Sequence, residues 1–117
     1  MRKILIVDDE IRIRKMYNAL LISEGFEAFE AQNAQEARKI LKEADIDLIL
    51  LDIKMDEVEG NELYEIIRLF HRQCKVIVTS VYPLNEQKKR IQGAADYYDK
   101  AQGIDILLAK VDKVLQN

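Results

Sequence analysis

Short apolar runs alternate with segments of helical periodicity along the whole chain. Residues 4–7, 46–52 and 75–80 are dominated by apolar side chains, whereas residues 26–31 and 95–100 mix apolar and charged positions. Each run is followed by a stretch with the three- to four-residue spacing of a helix. The alternation predicts five strand–helix pairs, and therefore a parallel sheet with helices on both faces.

The helical segments are delimited by their apolar spacing and by their terminal residues. Asn33 and Glu36 form the pattern of a capping box, and Gly25 is a typical stop after the first helix. The predicted helices cover residues 11–24, 34–43, 61–70, 85–92 and 104–115. Their apolar positions include Ile13, Met16, Leu20 and Leu21 in the first helix and Leu63, Ile66, Ile67 and Phe70 in the third. The charged run NEQKKR in the fourth is expected to form a solvated face.

The polarity of the runs predicts the order of the strands. Strands buried on both faces are continuously apolar, and edge strands are more polar. Strands 1, 3 and 4 should therefore be central, with the mixed strands 2 and 5 at the edges. The order 2-1-3-4-5 satisfies this condition with short right-handed crossovers, and it predicts a three-layer αβα sandwich. Ligands of such sheets bind beside the point where the winding reverses, at the carboxyl ends of strands 1 and 3.

Composition narrows the class of protein. A chain of 117 residues fits one domain, taken here as residues 1–117. The net charge of −3 and the pI near 5.2 argue against direct nucleic-acid binding by this segment. The single cysteine excludes an intrachain disulfide and suits a reducing cytoplasm. No apolar run is long enough to span a membrane, and no signal-peptide pattern is present.

Three carboxylates should meet at the predicted switch point. Asp8 and Asp9 follow strand 1, and Asp52 ends strand 3. Left alone the three groups would repel one another, and a divalent cation removes that conflict. Oxygen-only ligands favour Mg²⁺ over softer metals. Zinc is not expected, because His71 and Cys74 lie near the start of strand 4.

The remaining strand ends add groups that suit a phosphoryl ligand. Strand 4 ends in Thr79 and Ser80, and strand 5 is followed by Lys100. A metal ion and an ammonium group neutralise phosphoryl oxygens, and a hydroxyl adds a hydrogen bond. A carboxylate can also act as the nucleophile and form an acyl phosphate. Attack is assigned to Asp52, because it stands alone on its strand while Asp8 is paired with its neighbour.

These motifs together resemble a response-regulator receiver domain of two-component signalling, over essentially the whole chain. No single motif is specific, but their combination in this order and at these spacings is. The resemblance implies a flavodoxin-like fold. The motifs are Asp8–Asp9, LLDIKM around Asp52, Gly60, VTSVY at strand 4 and GAADYYDK ending in Lys100.

The resemblance implies specific roles for the site residues. Asp52 is the phosphoacceptor. Asp9 and Asp52, with the backbone carbonyl of Lys54, bind Mg²⁺ (or Mn²⁺) directly, and Asp8 binds it through water. Lys100 contacts the phosphoryl group.

Further positions are implied to govern switching. Ser80 is the switch hydroxyl and Tyr97 the switch aromatic residue, while Lys54 and Tyr82 tune the lifetime of the phosphoryl group. Movement of Ser80 would leave space into which Tyr97 turns, changing the surface of helix 4, strand 5 and helix 5.

The resemblance also implies partners. The phosphoryl donor is a sensor histidine kinase or a histidine phosphotransfer protein, and the altered surface is read by a downstream effector or output domain. Such a domain is cytoplasmic, does not contact a membrane, and is a monomer or a weak dimer. It is a signalling phosphoacceptor rather than an enzyme, catalysing only its own phosphoryl transfer and slow dephosphorylation.

Three departures from the family pattern affect these expectations. Asp56 replaces a proline that usually follows the methionine at position 55. Its absence calls into question the rigidity of that loop but not the chemistry of the site. Ala101 replaces the proline that usually follows the lysine with a cis bond, so a trans bond and an altered approach of Lys100 are expected. The segment from Ser80 to Lys100 is about two residues shorter than usual, which predicts a shortened fourth helix.

Other classes of function remain open from the residues. A metal-dependent hydrolase could use the same acidic pocket. A haloacid-dehalogenase-type phosphatase would need an aspartate where Lys54 stands, and a nuclease or primase would need a basic approach surface. The main alternative is a degenerate receiver that acts only as a protein-binding module.

Overall fold

A computed structural model describes residues 1–53 and 57–116. In this part of the chain, five strands alternate with five helices. The strands are β1 (Lys3–Val7), β2 (Glu27–Ala31), β3 (Leu48–Asp52), β4 (Lys75–Ser80) and β5 (Asp96–Asp99). The helices are α1 (Ile11–Ser23), α2 (Ala34–Glu43), α3 (Glu57–Phe70), α4 (Leu84–Arg90) and α5 (Ile104–Leu115).

The strands form one parallel sheet in the predicted order β2-β1-β3-β4-β5. Every residue of β3 is buried, whereas in β2 only Ala31 is buried and the other four residues are exposed or partly exposed. The polarity of each run therefore identified central and edge strands correctly, because only a strand covered on both faces must be apolar throughout.

Alternate side chains of the strands enter two separate cores. Leu5 and Val7 join the cluster beneath α2, α3 and α4, while Ile4 and Ile6 join the cluster beneath α1 and α5. This alternation follows from the two-residue period of a strand. The result is a three-layer αβα sandwich, as predicted.

Two predicted apolar faces need correction. Met16 is 47% exposed and Phe70 is 74% exposed, so neither contributes to a core. In α1 the buried positions include Arg14 and Tyr17 instead. Tyr17 packs in the apolar cluster beneath α1, whereas Arg14 uses its guanidinium to bind a carbonyl near the site. A buried cation on a helix face is not visible in a count of apolar spacing.

The predicted bounds of α3 and α4 also differ from the structure. Helix α3 begins at Glu57, four residues before the predicted start, so Gly60 lies within it. A side chain at Gly60 would place a Cβ 3.3 Å from Cα of Ile53, which explains glycine at this close approach. Helix α4 has only seven residues. It spans Leu84–Arg90 rather than the predicted residues 85–92.

Candidate functional site

The three predicted carboxylates converge at the carboxyl ends of β1 and β3. Val7 and Leu51 are partners in the parallel register, so Asp8 and Asp52 follow at the same level of the sheet. Carboxylate oxygens of Asp8, Asp9 and Asp52 lie within 4.8 Å of one another. Asp8 and Asp52 are buried, and Asp9 is exposed. The apolar strands β1 and β3 thus place the carboxylates of Asp8, Asp9 and Asp52 next to one another.

Lys100 lies between the two buried carboxylates. Its Nζ atom donates to Oδ2 of Asp8 at 2.7 Å and to Oδ2 of Asp52 at 3.1 Å. Burial by itself would lower the pKa of Lys100, but the charge of Asp52 and the hydrogen bond with Asp8 raise that pKa above its usual value. Lys100 is therefore a fixed cation within the acidic pocket.

The donor set fits a divalent metal ion. Carboxylate oxygens are hard ligands, and three of them at this spacing can be shared by one cation. His71 and Cys74 lie just beyond the end of α3, and the Cys74 thiol is buried and donates to the carbonyl of Ile46. Burial also raises the pKa of that thiol to about 12, which disfavours a thiolate ligand.

A cavity of about 220 Å³ opens at the carboxylates. Its lining consists of Asp9, Glu10, Asp52, Val81 and Lys100. Glu10 and Val81 were not predicted, although each directly follows a predicted site residue or strand end. Their position at the ends of β1 and β4 is the signal that could have identified them, because the loops after those strands must border the pocket.

Hydrogen bonds fix the loop that carries Asp8. Nη1 of Arg14 donates to the backbone carbonyl of Asp8 at 2.7 Å, and the backbone N–H of Glu10 donates to Oδ1 of Asp8 at 2.9 Å. Arg14 is itself paired with Glu30 at the end of β2, at 3.4 Å. The first turn of α1 and the edge strand therefore both hold the loop after β1.

The two hydroxyl residues at the end of β4 are fully covered. Thr79 is the register partner of Asp52, and Ser80 is the partner of Asp99. Oγ of Ser80 accepts the backbone N–H of Tyr82 at 3.2 Å. The carbonyl of Ser80 accepts the backbone N–H of Lys100 at 2.8 Å. Ser80 thus connects the loop before α4 to the segment that carries Lys100.

The predicted switch aromatic residue is bound by its hydroxyl group. Tyr97 is 8% exposed, and its O–H donates to the carbonyl of Ile91 at 2.7 Å. The same oxygen accepts the backbone N–H of Ala94 at 3.2 Å. The phenol therefore closes the carboxyl end of α4. Tyr82, by contrast, is half-buried beneath the guanidinium of Arg90, which lies 4.2 Å from the ring centre.

Gln87 is the residue that the sequence interpretation missed. It belongs to the charged run expected to be solvated, yet it is fully buried. Its Nε2 donates to the carbonyls of Tyr82 at 2.8 Å and Tyr98 at 2.9 Å. The spacing of Leu84, Gln87 and Ile91 is that of one helix face, and this was the available signal. The predicted metal ligation and lifetime role of Lys54, and the departure at Asp56, lie outside the described residues.

The fold and the acidic pocket define a signalling phosphoacceptor of the two-component type. The model of the response regulator receiver domain matches residues 4–112. The chain belongs to this family.

Individual relatives support the same assignment. The chain is 32% identical to sporulation initiation phosphotransferase F of Bacillus subtilis, covering 97% of this chain and 93% of that protein. It is 37% identical to the transcriptional regulatory protein SrrA of Staphylococcus aureus, covering 84% of this chain but 41% of that protein. The sequence therefore matches both a short relative and part of a longer one.

Solved structures agree with the fold. The response regulator TrrA from Thermotoga maritima, solved in complex with Mg²⁺-BeF, is 35% identical with a TM-score of 0.87, and the match covers 98% of this chain and all of that one. TrrA has also been solved in complex with the histidine kinase ThkA. Across the described residues, no helix is both long and apolar enough to cross a membrane.

Proposed function

We propose that Asp52 is the phosphoacceptor, and that Asp8, Asp9 and Asp52 hold Mg²⁺ (or Mn²⁺) during phosphoryl transfer. The observation that carries the proposal is the convergence of Asp8, Asp9 and Asp52 within 4.8 Å of one another, with Lys100 bonded to Asp8 and Asp52, beside a cavity lined by Asp9, Asp52 and Lys100. When bound, the metal ion supplies positive charge that neutralises phosphoryl oxygens. The solved TrrA structure, with Mg²⁺ and BeF, supports this choice of metal.

The proposed donor is a phosphohistidine of a sensor histidine kinase or a histidine phosphotransfer protein. A carboxylate oxygen of Asp52 forms a bond to phosphorus as the nitrogen–phosphorus bond of the donor breaks. The imidazole leaves with that electron pair and takes up a proton. Asp52 ends strand β3, which is buried along its whole length. The strand holds the carboxylate in a fixed orientation, so little entropy is lost when the carboxylate attacks.

Lys100 is proposed to exchange one partner for another during the reaction. Before transfer its ammonium group bonds to both Asp8 and Asp52. After transfer the phosphoryl oxygens provide the stronger charge, and Lys100 bonds to them. The hydroxyl of Ser80 is proposed to move toward the phosphoryl group and donate to a further phosphoryl oxygen, and this movement would lengthen the bond in which its oxygen now accepts the N–H of Tyr82.

Signal output is proposed to follow from that movement of Ser80. The loop between Ser80 and α4 is bonded to Gln87 of α4 through the carbonyl of Tyr82, and Gln87 is bonded in turn to Tyr98 of β5. A shift of the hydroxyl would therefore disturb Gln87 and, through the carboxyl end of α4, the contact of Tyr97 with Ile91. The surface of α4, β5 and α5 then changes, and an effector or output domain reads it. Lys54 and Tyr82 are proposed to tune how long the phosphoryl group persists.

We further propose that residues 1–117 form a single receiver domain, cytoplasmic and monomeric or weakly dimeric. It catalyses only its own phosphorylation and slow dephosphorylation and does not bind nucleic acid directly. The histidine kinase bound by TrrA supports the class of donor.

Intact-mass spectrometry after incubation with acetyl phosphate tests the proposal. We expect one phosphoryl adduct on the wild-type chain with Mg²⁺, and none with EDTA or in Asp52→Asn. Asp47→Asn is the matched control, because Asp47 lies at the opposite end of the sheet and binds the backbone N–H of Lys3. Absence of the adduct in a folded wild-type chain would support the degenerate receiver that acts only as a binding module.

A further inference from the structure

Lys100 lies within a tight turn rather than at the end of a free loop. The backbone N–H of Gln102 donates to the carbonyl of Asp99 at 2.8 Å, so Lys100 and Ala101 are the two central residues of a β-turn. No cis peptide bond occurs in the described residues, and the expected trans bond before Ala101 is confirmed. The 99–102 turn (residues 99–102) therefore presents Lys100 without the proline that the family usually has.

Side chains of the turn reinforce its backbone. Oδ1 of Asp99 accepts the backbone N–H of Ala101 at 2.8 Å, which is the geometry of an Asx-turn. Oε1 of Gln102 accepts the backbone N–H of Asp99 at 3.3 Å. These contacts bracket Lys100 from both sides, so they restrict the backbone from which its side chain extends.

The turn is also attached to both neighbouring elements. The O–H of Tyr98 donates to the carbonyl of Gln102 at 2.7 Å, with Gly103 a second acceptor at 3.1 Å. On the other side, the backbone N–H of Lys100 donates to the carbonyl of Ser80. Tyr98 itself is buried in the core beneath α1 and α5. The turn is thus held by a core residue and by β4.

We propose that the 99–102 turn positions Lys100 in the phosphoryl site, and that Asp99 is the positioning residue on which this depends. The inference rests on the proposed function, because the position of Lys100 matters through the phosphoryl group that it contacts. Ala101 is exposed and contributes its N–H rather than its side chain. Asp99 acts through the turn, since its carboxylate oxygen bonds to the backbone of the residue after Lys100.

Displacement of Lys100 should raise the affinity for Mg²⁺ and lower the rate of phosphoryl transfer. Lys100 now occupies carboxylate oxygens that a metal ion would use, so a displaced ammonium group should allow tighter Mg²⁺ binding. The same displacement removes a partner of the phosphoryl group and should slow its transfer. A variant that merely loosens the fold would weaken both metal binding and transfer.

The main experiment compares Asp99→Ala with Asp99→Asn. Asparagine removes the charge but keeps an oxygen that accepts the N–H of Ala101, so it controls for electrostatics. We expect Asp99→Ala to slow adduct formation from acetyl phosphate about tenfold, as for loss of one hydrogen bond to a charged acceptor. Calorimetric titration with MgCl₂ should show tighter binding in Asp99→Ala, and Asp99→Asn should stay within about twofold of wild type in both measurements.

A double-mutant cycle tests whether Asp99 acts through Lys100. In a Lys100→Met background, adding Asp99→Ala should change neither the rate nor the Mg²⁺ affinity, since the group being positioned is gone. If Asp99→Ala slows transfer equally in both backgrounds, or weakens Mg²⁺ binding together with transfer, the inference is wrong.

A second pair of variants keeps the inference testable if Asp99→Ala does not fold. Tyr98→Phe removes the hydroxyl that holds the carbonyl of Gln102, whereas Tyr64→Phe removes a hydroxyl that bonds to Gln92, away from the turn. We expect Tyr98→Phe to react more slowly and Tyr64→Phe to match wild type. Equal rates for these two variants would overturn the role of the turn. If wild type forms no adduct, the proposed function fails, and the Mg²⁺ titrations still decide whether Asp99 holds Lys100 against the carboxylates.

Discussion

The two sides of the site are built by different means. The carboxylates stand at the ends of β1 and β3, whose apolar side chains fill both cores. The side formed by α4 and β5 depends instead on buried polar contacts, made by Gln87, Tyr97 and the 99–102 turn. Lys100 joins the two sides, because its backbone belongs to the second and its ammonium group bonds to the first.

This difference has a physical consequence. The side chains of a closely packed β-strand have one arrangement of lowest energy, so the strand is rigid. A rigid strand suits a site that must hold a metal ion and a phosphoryl group. Hydrogen bonds to carbonyls contribute less each and can be exchanged for others, as a switching surface requires. Gln87 illustrates the second case, since its Oε1 is buried with no hydrogen-bond partner among the described residues.

The largest effect is expected from the apolar side. Leu51→Ala removes a fully buried side chain next to Asp52 and should lower the free energy of unfolding by about 2–5 kcal/mol. Phe70→Ala is the control, because that side chain is largely exposed and its loss should change stability by less than about 0.5 kcal/mol. Urea denaturation measures both. Equal effects would contradict the assignment of the core.

Lys100 should contribute an effect that depends on pH. Its pKa is raised in the folded chain from the ordinary 10.5, so its stabilisation is complete below that value and is lost as pH rises through the folded pKa. Without metal at pH 7, Lys100→Met should cost about 1.5–3 kcal/mol. The difference from wild type should stay constant near neutrality and shrink above pH 10.5. A difference that grows with pH would contradict the pairing.

A smaller effect is expected on the polar side. Gln87→Met keeps the length of the side chain but leaves the carbonyls of Tyr82 and Tyr98 without this donor, and should cost about 1–3 kcal/mol. Gln92→Met makes the same change at an exposed position and should be nearly neutral. Thermal unfolding of the two variants provides the measurement. If Gln87→Met is as stable as Gln92→Met, the buried amide does not hold α4.

The same division explains what could be predicted from the sequence. The strand order and the convergence of Asp8, Asp9 and Asp52 follow from apolar runs that end in acid, because a parallel sheet brings such ends together. Gln87 could not be recognised in the same way, since it lies among charged residues in a short helix. Arg14 was missed for a related reason: it bonds to the backbone carbonyl of Asp8 and to Glu30 on the edge strand, and neither contact leaves a pattern in the sequence.

The hydrogen bonds that hold Lys100 in its turn could not be predicted from the sequence either. The missing proline after Lys100 predicted an altered approach, but the turn that replaces it depends on Tyr98, Asp99 and Gln102 acting together. Each residue has an ordinary alternative in a strand or a loop. Only their hydrogen bonds distinguish a built turn from an irregular connection.

Hydrogen–deuterium exchange with and without Mg²⁺ and beryllium fluoride tests the contrast between the two sides most directly. With the phosphoryl analogue bound, the amides of β1 and β3 should keep their slow exchange, while those of α4 and the 99–102 turn change. Asp52→Asn should show no such response. A wild-type chain that binds the analogue but changes only at the carboxylate loops, with α4 and the turn unaffected, would contradict the account.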